Sequence, residues 1–246
     1  MKQFEEYSKE HVHLYEIGEI FPLLKNSILN LRKTKKKINI IDLGCGDGNL
    51  LNQLFNENII KKEDNIYALD PSQTRLNRIK NPLFRKVLAF GDNTKLKNNY
   101  FDYVICTQVI EHVENDNSLL KEIKRITKKD GYSFISSVVK KPYGFYIYKN
   151  KYGKRVSDPT HEREYKSKQE YESLLEKYFK IEKTNMHVFK FPVTDLIIKL
   201  LIRIKLIDPE KVIDIYLKSK LLRFLKKIRV PLIGFYYIES LVKKTS

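Results

Sequence analysis

The chain has 246 residues, of which 42% are hydrophobic, which suffices for one sizeable α/β core and leaves too few residues for a second ordinary domain. Its 47 Lys and Arg outnumber its 30 Asp and Glu, and the net charge of +17 predicts attraction to RNA, an anionic membrane face or a phosphorylated substrate. Two cysteines without metal or disulfide spacing argue against a disulfide-stapled secreted scaffold and predict a reducing compartment.

Export and membrane insertion are not predicted. Residues 1–10 are polar and include acids, unlike a signal peptide. The most apolar window, Leu196 to Ile202, is broken by Lys199 and is too short to cross a bilayer. We therefore expect a cytoplasmic protein, with a peripheral position at a membrane left open.

A helical segment precedes the first predicted strand. Apolar residues recur at helical spacing from Phe4 to Leu31, with an interruption near Pro22. This segment could pack on a sheet, or its aromatic residues could cover a ligand pocket. Ile38 to Leu43 then has the continuous apolar character of a buried strand.

The first strand ends in a turn with three alternate glycines. Gly44, Gly46 and Gly48 lead into a helix, and glycine lets the backbone approach a ligand closely because it has no Cβ. A pyrophosphate-binding turn has the spacing G-x-G-x-x-G, whereas this turn is G-x-G-x-G. Asp42 and Asp47 add two carboxylates, which suit a cationic ligand better than a pyrophosphate. A tight turn without a ligand remains the alternative.

Strands and helices alternate beyond this turn, which predicts a parallel sheet with right-handed crossovers. The next predicted strands are Asn65 to Leu69, Val87 to Phe90, Tyr100 to Thr107 and Tyr132 to Val139. Polar residues stand at three of the strand ends, as Asp70-Pro71, Asp92-Asn93 and Thr107-Gln108. An acidic residue at the tip of the second strand meets a ribose hydroxyl in many βαβ units, although Asp70 could also simply cap the next helix.

The run D-L-G-C-G-D-G, followed by acids at successive strand tips, resembles motif I and its downstream landmarks in the class I S-adenosylmethionine-dependent methyltransferase superfamily, of the methyltransferase type 11-like kind. The resemblance implies an α/β fold with a Rossmann-like seven-stranded, mostly parallel sheet, an antiparallel last strand and a helical insertion before it. It implies S-adenosylmethionine as cofactor, with Asp70 on the ribose and Asp92 on the adenine. The candidate cofactor-binding residues are Asp42, Gly44, Cys45, Gly46, Asp47, Asp70, Pro71, Asp92, Asn93, Thr107 and Gln108.

The chain is interpreted as one methyltransferase domain. Its parts are an N-terminal helical segment 1–37, a cofactor-binding core 38–192, a helical insertion 193–229 and a final strand region 230–246. Asp208-Pro209-Glu210 predicts the start of a basic helix that runs to Arg229, and Val230 to Gly234 predicts a turn before the last strand. The insertion could serve as a substrate lid, a dimer surface or a membrane-surface anchor.

Two histidines are candidate catalytic residues. A hydroxyl acceptor needs a base, and His161 is the first candidate and His112 the second. A structural hydrogen bond from His161 to Asp158 or Glu164 is the alternative. Basic and aromatic residues mixed between Lys140 and Arg155 could stack bases, line a substrate channel or form a solvated face.

A metal ion is not predicted. The order Gln108-x-x-Glu111-His112, with His161 downstream, is similar to the metal site of small-RNA 2′-O-methyltransferases. That family has a glutamate where this chain has Gln108, so a divalent ion loses an anionic ligand. The Asp/Asn-Pro-Pro-aromatic motif of amino-group methylases is absent, and Cys106 lies inside an apolar strand run. These observations favour an oxygen acceptor.

The function expected from these features is O-methylation of a small-molecule, lipid-linked or sugar acceptor. An RNA methyltransferase of the 2′-O type and a non-catalytic S-adenosylmethionine-binding module are the alternatives. The sequence leaves the oligomeric state open, and a possible partner is an anionic membrane surface.

Overall fold

A seven-stranded sheet forms the centre of the computed structural model, in the spatial order β3-β2-β1-β4-β5-β9-β8. The structure describes residues 5, 20–144, 148–158, 160–192, 194, 198, 201–202, 204–208, 219–225 and 228–245. The strands of the sheet are β1 (Asn39–Leu43), β2 (Asn65–Asp70), β3 (Phe84–Leu88), β4 (Phe101–Thr107), β5 (Thr127–Lys140), β8 (Lys180–Pro192) and β9 (Arg229–Lys243). A separate ribbon consists of β6 (Tyr148–Lys149) and β7 (Arg155–Val156).

Helices cover the sheet on both faces. Those in the described ranges are α1 (Pro22–Arg32), α2 (Asn49–Asn56), α3 (Gln73–Arg78), α4 (Asp116–Ile126), α5 (Lys168–Glu176) and α6 (Lys220–Leu225). Successive residues of β1 show the two layers, because Ile40 packs in one buried cluster with Leu24 of α1 and Ile41 in the other with Leu120 of α4. Burial on both faces explains why β1 is apolar throughout most of its length.

The strand directions confirm the predicted fold class. Strand β1 pairs in parallel with β2 and β4, and the parallel order continues to β3 and β5. Strand β9 is antiparallel to both of its neighbours, β5 and β8. The carboxyl ends of β1 to β5 and β8 therefore lie at one edge of the sheet, where open α/β sheets bind their ligands, and β9 starts at this edge.

Three strands begin earlier than the sequence predicted. Strand β3 starts at Phe84, which is buried against Phe55. Its start was not predicted because the next two residues, Arg85 and Lys86, are charged and exposed on this edge strand. Strand β5 starts at Thr127 instead of Tyr132, because it already pairs with β4 at Thr127, and the pairing shifts register before Tyr132. Strand β9 already pairs with β8 at Arg229, so the strand starts before the predicted turn, and its pairing with β8 shifts register between Pro231 and Tyr236, where the turn was predicted.

Gly234 explains why a turn was expected within β9. It has a φ of +83°, and an added Cβ would lie 2.5 Å from the Cα of Gly144. The Lys141 amide donates a 2.8 Å hydrogen bond to the Gly234 carbonyl. The glycine therefore lets the loop after β5 lie directly against the start of β9, and the strand continues through it.

Some predicted elements lie largely outside the described residues. Residues 1–4, 6–19 and 209–218 are not described, so the first turns of the N-terminal helix and most of the capped basic helix are not assessed. The described part of that basic helix is α6, residues 226–227 lie outside the described residues, and Arg229, the predicted helix end, belongs to β9. In the part of the chain that the structure describes, no helix has the length and apolar character needed to span a membrane.

Candidate functional site

The glycine turn after β1 lies against the tips of two neighbouring strands. Gly44, Gly46 and Gly48 have φ angles of +77°, +54° and +75°, which favour glycine. The Gly44 amide donates to the Leu69 carbonyl at the end of β2 over 2.8 Å. A Cβ on Gly44 would lie 2.4 Å from a methyl carbon of Val109, so the turn also touches the loop after β4. The turn of Gly44 to Gly48 therefore forms a narrow backbone cradle at this edge of the sheet, between the end of β2 and the loop after β4.

Two acids stand beside this cradle. Asp42 is buried, and its Oδ1 atom has no hydrogen-bond partner among the described residues. Burial and the nearby charge of Asp70 raise the pKa of Asp42 to about 7. Asp70 accepts the Gly46 amide on Oδ2 and the Ser72 amide on Oδ1, both at 2.9 Å. Burial likewise raises the pKa of Asp70, so a cationic ligand would stabilise both carboxylates.

The remaining turn residues differ in their surroundings. Asp47 forms an ion pair with Arg78 of α3, with 3.3 Å between the two side chains, so a protein cation already faces this acid. Cys45 is buried, and burial raises the pKa of its thiol well above the usual value. Pro71 is half-buried beside Asp70. A direct ligand contact is therefore better supported for Asp42 and Asp70 than for Asp47.

The residues after β3 are open to solvent. Asp92 and Asn93 are both exposed, and the Asn93 amide donates to the Phe90 carbonyl. Leu88 pairs in register with Asp70, and both Leu88 and Phe90 are exposed apolar side chains. This apolar surface next to Asp70 was not predicted from the sequence, because only the three-dimensional pairing shows that these residues are uncovered.

Gln108 marks the end of β4. Its φ is +54°, a conformation that is uncommon outside glycine and that clusters at functional sites. The Gln108 amide donates to the Ser136 carbonyl over 3.1 Å, which holds this conformation, and half-buried Thr107 precedes it. The chain then turns sharply toward Glu111 and His112.

The two candidate histidines meet in one cluster. The rings of His112 and His161 are 4.7 Å apart between centroids. His161 arrives from a distant segment, which is held by a 2.9 Å bond from the Glu162 amide to the Glu111 carbonyl. The side-chain amide of Asn150 donates to the His161 carbonyl. The predicted pair is thus brought together beyond the ends of β4 and β5.

Hydrogen bonds fix the orientation of both rings. Nδ1 of His161 lies 3.0 Å from Oε1 of Glu164, and Nδ1 of His112 lies 3.0 Å from Oγ1 of Thr160. Since a carboxylate only accepts, His161 carries its proton on Nδ1 and leaves Nε2 free to accept another. The hydrogen bond to Glu164, which was the structural alternative, therefore exists and is compatible with a role as base.

The titration properties of the two histidines diverge. Burial and the charge of His161 lower the pKa of His112 to about 4, so this ring stays neutral near pH 7. Burial alone would lower the pKa of His161, but the hydrogen bond to Glu164 and the charge of Glu111 outweigh it and raise the pKa. Burial also raises the pKa of Glu111 to about 7. His161 is therefore the stronger base of the pair.

Glu111, His112 and His161 could also coordinate a metal ion. One ligand atom from each lies within 4.8 Å of the others. Oε2 of Glu111 accepts from the Ser137 hydroxyl at 3.0 Å, while buried Oε1 has no partner in the described part of the chain. A carboxylate and two imidazoles form a ligand set that divalent zinc accepts, and a bound ion would polarise an acceptor hydroxyl.

Comparison with known proteins gives a consistent picture. A family model described as methyltransferase domain matches residues 17–184. The ubiquinone biosynthesis O-methyltransferase of Nitrosomonas europaea is 27% identical over 137 residues, which cover 52% of this chain and 56% of that protein. A thiol S-methyltransferase of Rattus norvegicus is 26% identical over 139 residues, 49% of this chain and 51% of that protein. The chain spans about half the length of the curated relatives it matches.

The fold has solved counterparts. Phosphoethanolamine N-methyltransferase 2 of Haemonchus contortus, in complex with S-adenosyl-L-methionine, superposes with a TM-score of 0.59 at 16% identity. The match covers 98% of this chain and 57% of that protein. At this identity the likeness concerns the fold.

Proposed function

Because the chain belongs to the methyltransferase domain family, we propose that it methylates a hydroxyl oxygen of a small-molecule acceptor, with His161 as the base. It is an S-adenosylmethionine-dependent methyltransferase in fold and family. The observation that carries the proposal is the buried His161–Glu164 pair beyond the strand ends that also hold the glycine turn. The acceptor classes are a free small molecule, a lipid-linked molecule or a sugar.

The proposed cofactor contacts follow from the two buried acids. Asp42 offers an unpartnered carboxylate oxygen to the cationic end of S-adenosylmethionine. Each oxygen of Asp70 accepts one backbone amide and keeps a lone pair for the ribose hydroxyls. Gly46 leaves room for the ligand along the backbone, since an added Cβ there would have its nearest neighbour 3.7 Å away at Arg75. Leu88 and Phe90 offer an apolar wall for the adenine, and Asp92 and Asn93 lie at its rim.

The reaction is a displacement at carbon. When bound, S-adenosylmethionine would supply an electrophilic methyl group on a sulfonium, whose sulfur would be released as a neutral thioether as the acceptor oxygen bonds to that carbon. Nε2 of His161 takes the proton of the acceptor hydroxyl as the oxygen attacks. Glu164 stabilises the resulting imidazolium through its hydrogen bond to Nδ1. Neutral His112 packs edge-on against the His161 ring and holds that ring in position.

The relatives support an oxygen or sulfur atom of a small molecule as acceptor, since the matched proteins are named as a ubiquinone biosynthesis O-methyltransferase and a thiol S-methyltransferase. A thiol would need less help from a base because its pKa is lower than that of a hydroxyl. The presence of a positioned base at His161 therefore favours oxygen in the proposal.

An RNA acceptor is the second candidate. The net charge of +17 and the exposed side chains of Tyr152, Lys154 and Arg155 on the β6–β7 ribbon favour it. RNA binding would weaken steeply with salt as counterions are released. A non-catalytic module that binds S-adenosylmethionine without turnover is the remaining alternative.

The test uses the purified full chain with methyl-labelled S-adenosylmethionine and separate pools of host small molecules, lipids and RNA. We expect label in the small-molecule or lipid pool, with an equal amount of S-adenosylhomocysteine, and none in RNA. Label in RNA at a ribose oxygen would establish the second candidate. Cofactor binding without any labelled product from all three pools would support the non-catalytic module.

A further inference from the structure

Large apolar side chains are exposed in the described part of the insertion and in the first residues of β9. Leu206, Leu221, Phe224 and Ile233 are 71%, 66%, 64% and 76% exposed, and Ile228 is also exposed. Soluble monomers rarely leave large apolar side chains uncovered in such a group, and a group of this kind marks an interaction site. We call these five residues the apolar tip.

The apolar tip belongs to a folded unit. Leu222 and Ile207 both pack against buried Ile198, which forms a small core of the insertion. Leu221 and Phe224 are three residues apart on α6 and so share the side that Leu222 does not occupy. The exposed residues are therefore presented outward by a packed core, and their exposure follows from the fold of the insertion.

Basic residues adjoin members of the apolar tip along the chain. Lys205, Lys220 and Arg229 are exposed beside its members. Residues 193–229 contain ten Lys or Arg and four Asp or Glu. Exposed apolar side chains in a segment rich in basic residues are typical of segments that lie in the headgroup region of a membrane, where each basic residue strengthens binding to anionic lipid by about fivefold.

Ile233, the member of the apolar tip on β9, lies next to the loop that follows β5 on the acceptor side. Strand β9 begins at the sheet edge that carries the ends of β4 and β5. The loop after β5 contacts β9 directly, through the Lys141 amide and the Gly234 carbonyl. A membrane under the apolar tip would therefore border the end of the molecule that holds His161.

We propose that the chain docks on an anionic membrane surface through the apolar tip and the basic residues that adjoin its members. A second copy of the chain fits the surface less well, because a two-fold dimer through this face would bring like charges together. RNA also fits less well, because four of the five residues are aliphatic and offer no ring for base stacking. This inference goes beyond the proposed function and does not depend on turnover.

The test is co-sedimentation of the full chain, without cofactor, with vesicles of phosphatidylcholine alone or of phosphatidylcholine and phosphatidylglycerol at about 3:1. We expect at least tenfold tighter binding to the anionic vesicles and a clear loss at high salt. The double variant Leu221→Ser and Phe224→Ser should weaken binding about tenfold or more, because it removes two apolar anchors. Lys205→Glu with Lys220→Glu should weaken it comparably.

Matched controls use surface residues far from the apolar tip in sequence. Leu29→Ser with Leu83→Ser changes two exposed leucines outside the apolar tip, and Lys62→Glu with Lys121→Glu changes two exposed lysines. Both controls should bind vesicles within twofold of the parent chain. Equal vesicle binding by the Leu221/Phe224 variant and the parent would overturn the proposal. A parent chain that stays in the supernatant would also overturn it. Formation of a dimer, or binding of homopolymer RNA, that requires an intact apolar tip would then identify the other occupant.

Methyl transfer is measured separately with a water-soluble acceptor pool. Loss of vesicle binding in the Leu221/Phe224 variant should leave that activity within twofold of the parent. A failure of the docking proposal thus remains distinguishable from a failure of the proposed methyl transfer.

Discussion

The cofactor end and the acceptor end of the site are held together in different ways. At the cofactor end, backbone amides of the glycine turn bond to the end of the neighbouring strand, as from Gly44 and Cys45 to the Leu69 carbonyl. At the acceptor end, His161 is oriented by Glu164 and lies beside His112, on a segment far along the chain. Backbone contacts specify the first end and side-chain contacts the second. Substitutions should therefore separate binding from chemistry.

The largest effect should come from His161→Ala. Loss of a positioned base lowers kcat by about 10²- to 10⁴-fold, while the affinity for S-adenosylmethionine should stay within about twofold. Single-turnover kinetics and calorimetric cofactor titration measure the two quantities.

His112→Ala serves as the control for this variant, because it opens the same cluster without removing the proposed base. It should retain more activity than His161→Ala. If the two variants lost activity equally, or if His161→Ala chiefly weakened cofactor binding, His161 would be a structural residue of the cluster.

Asp70→Ala should show the opposite pattern. The change removes the acceptor of two backbone amides and the proposed ribose contact, and charge-assisted hydrogen bonds of this kind correspond to about 10- to 100-fold in affinity. We expect that loss in cofactor binding by calorimetry, with kcat at saturation changed less. The exposed Asp92 is the matched control, and Asp92→Ala should weaken binding by under about tenfold. Unchanged affinity of Asp70→Ala would remove the ribose assignment.

The acceptor end should also set the pH dependence. His161 accepts a proton only when neutral, so the rate should rise with pH through a pKa above the ordinary value of 6.5. Glu164→Gln removes the carboxylate that raises this pKa, so the midpoint should move to lower pH and the plateau should fall by about tenfold. A pH–rate profile of kcat measures both changes. An unmoved midpoint would mean that another group titrates.

The contrast between the two ends explains what could be predicted from the sequence. The parallel sheet and the glycine turn were predictable because strand periodicity and glycine spacing are local properties, and Asp42 and Asp70 stand next to them. Strand β3 was misplaced because Arg85 and Lys86 are polar residues on an edge strand. The unpartnered oxygen of Glu111 and the exposed Leu88 could not be predicted, because both follow from which distant residues surround them.

Removal of divalent metal should have the smallest effect. Metal ligands must be deprotonated, yet Glu111 has a pKa of about 7 and the pKa of His161 is raised, so protons compete for the cluster near neutral pH. Gln108 adds no negative charge to the set. We expect dialysis against a chelator to change kcat by less than about twofold, with far less than one zinc or magnesium per chain by elemental analysis. Activity lost on chelation and restored by one metal equivalent would make His161 a ligand, and the cluster of Glu111, His112 and His161 would then act on the acceptor through the ion.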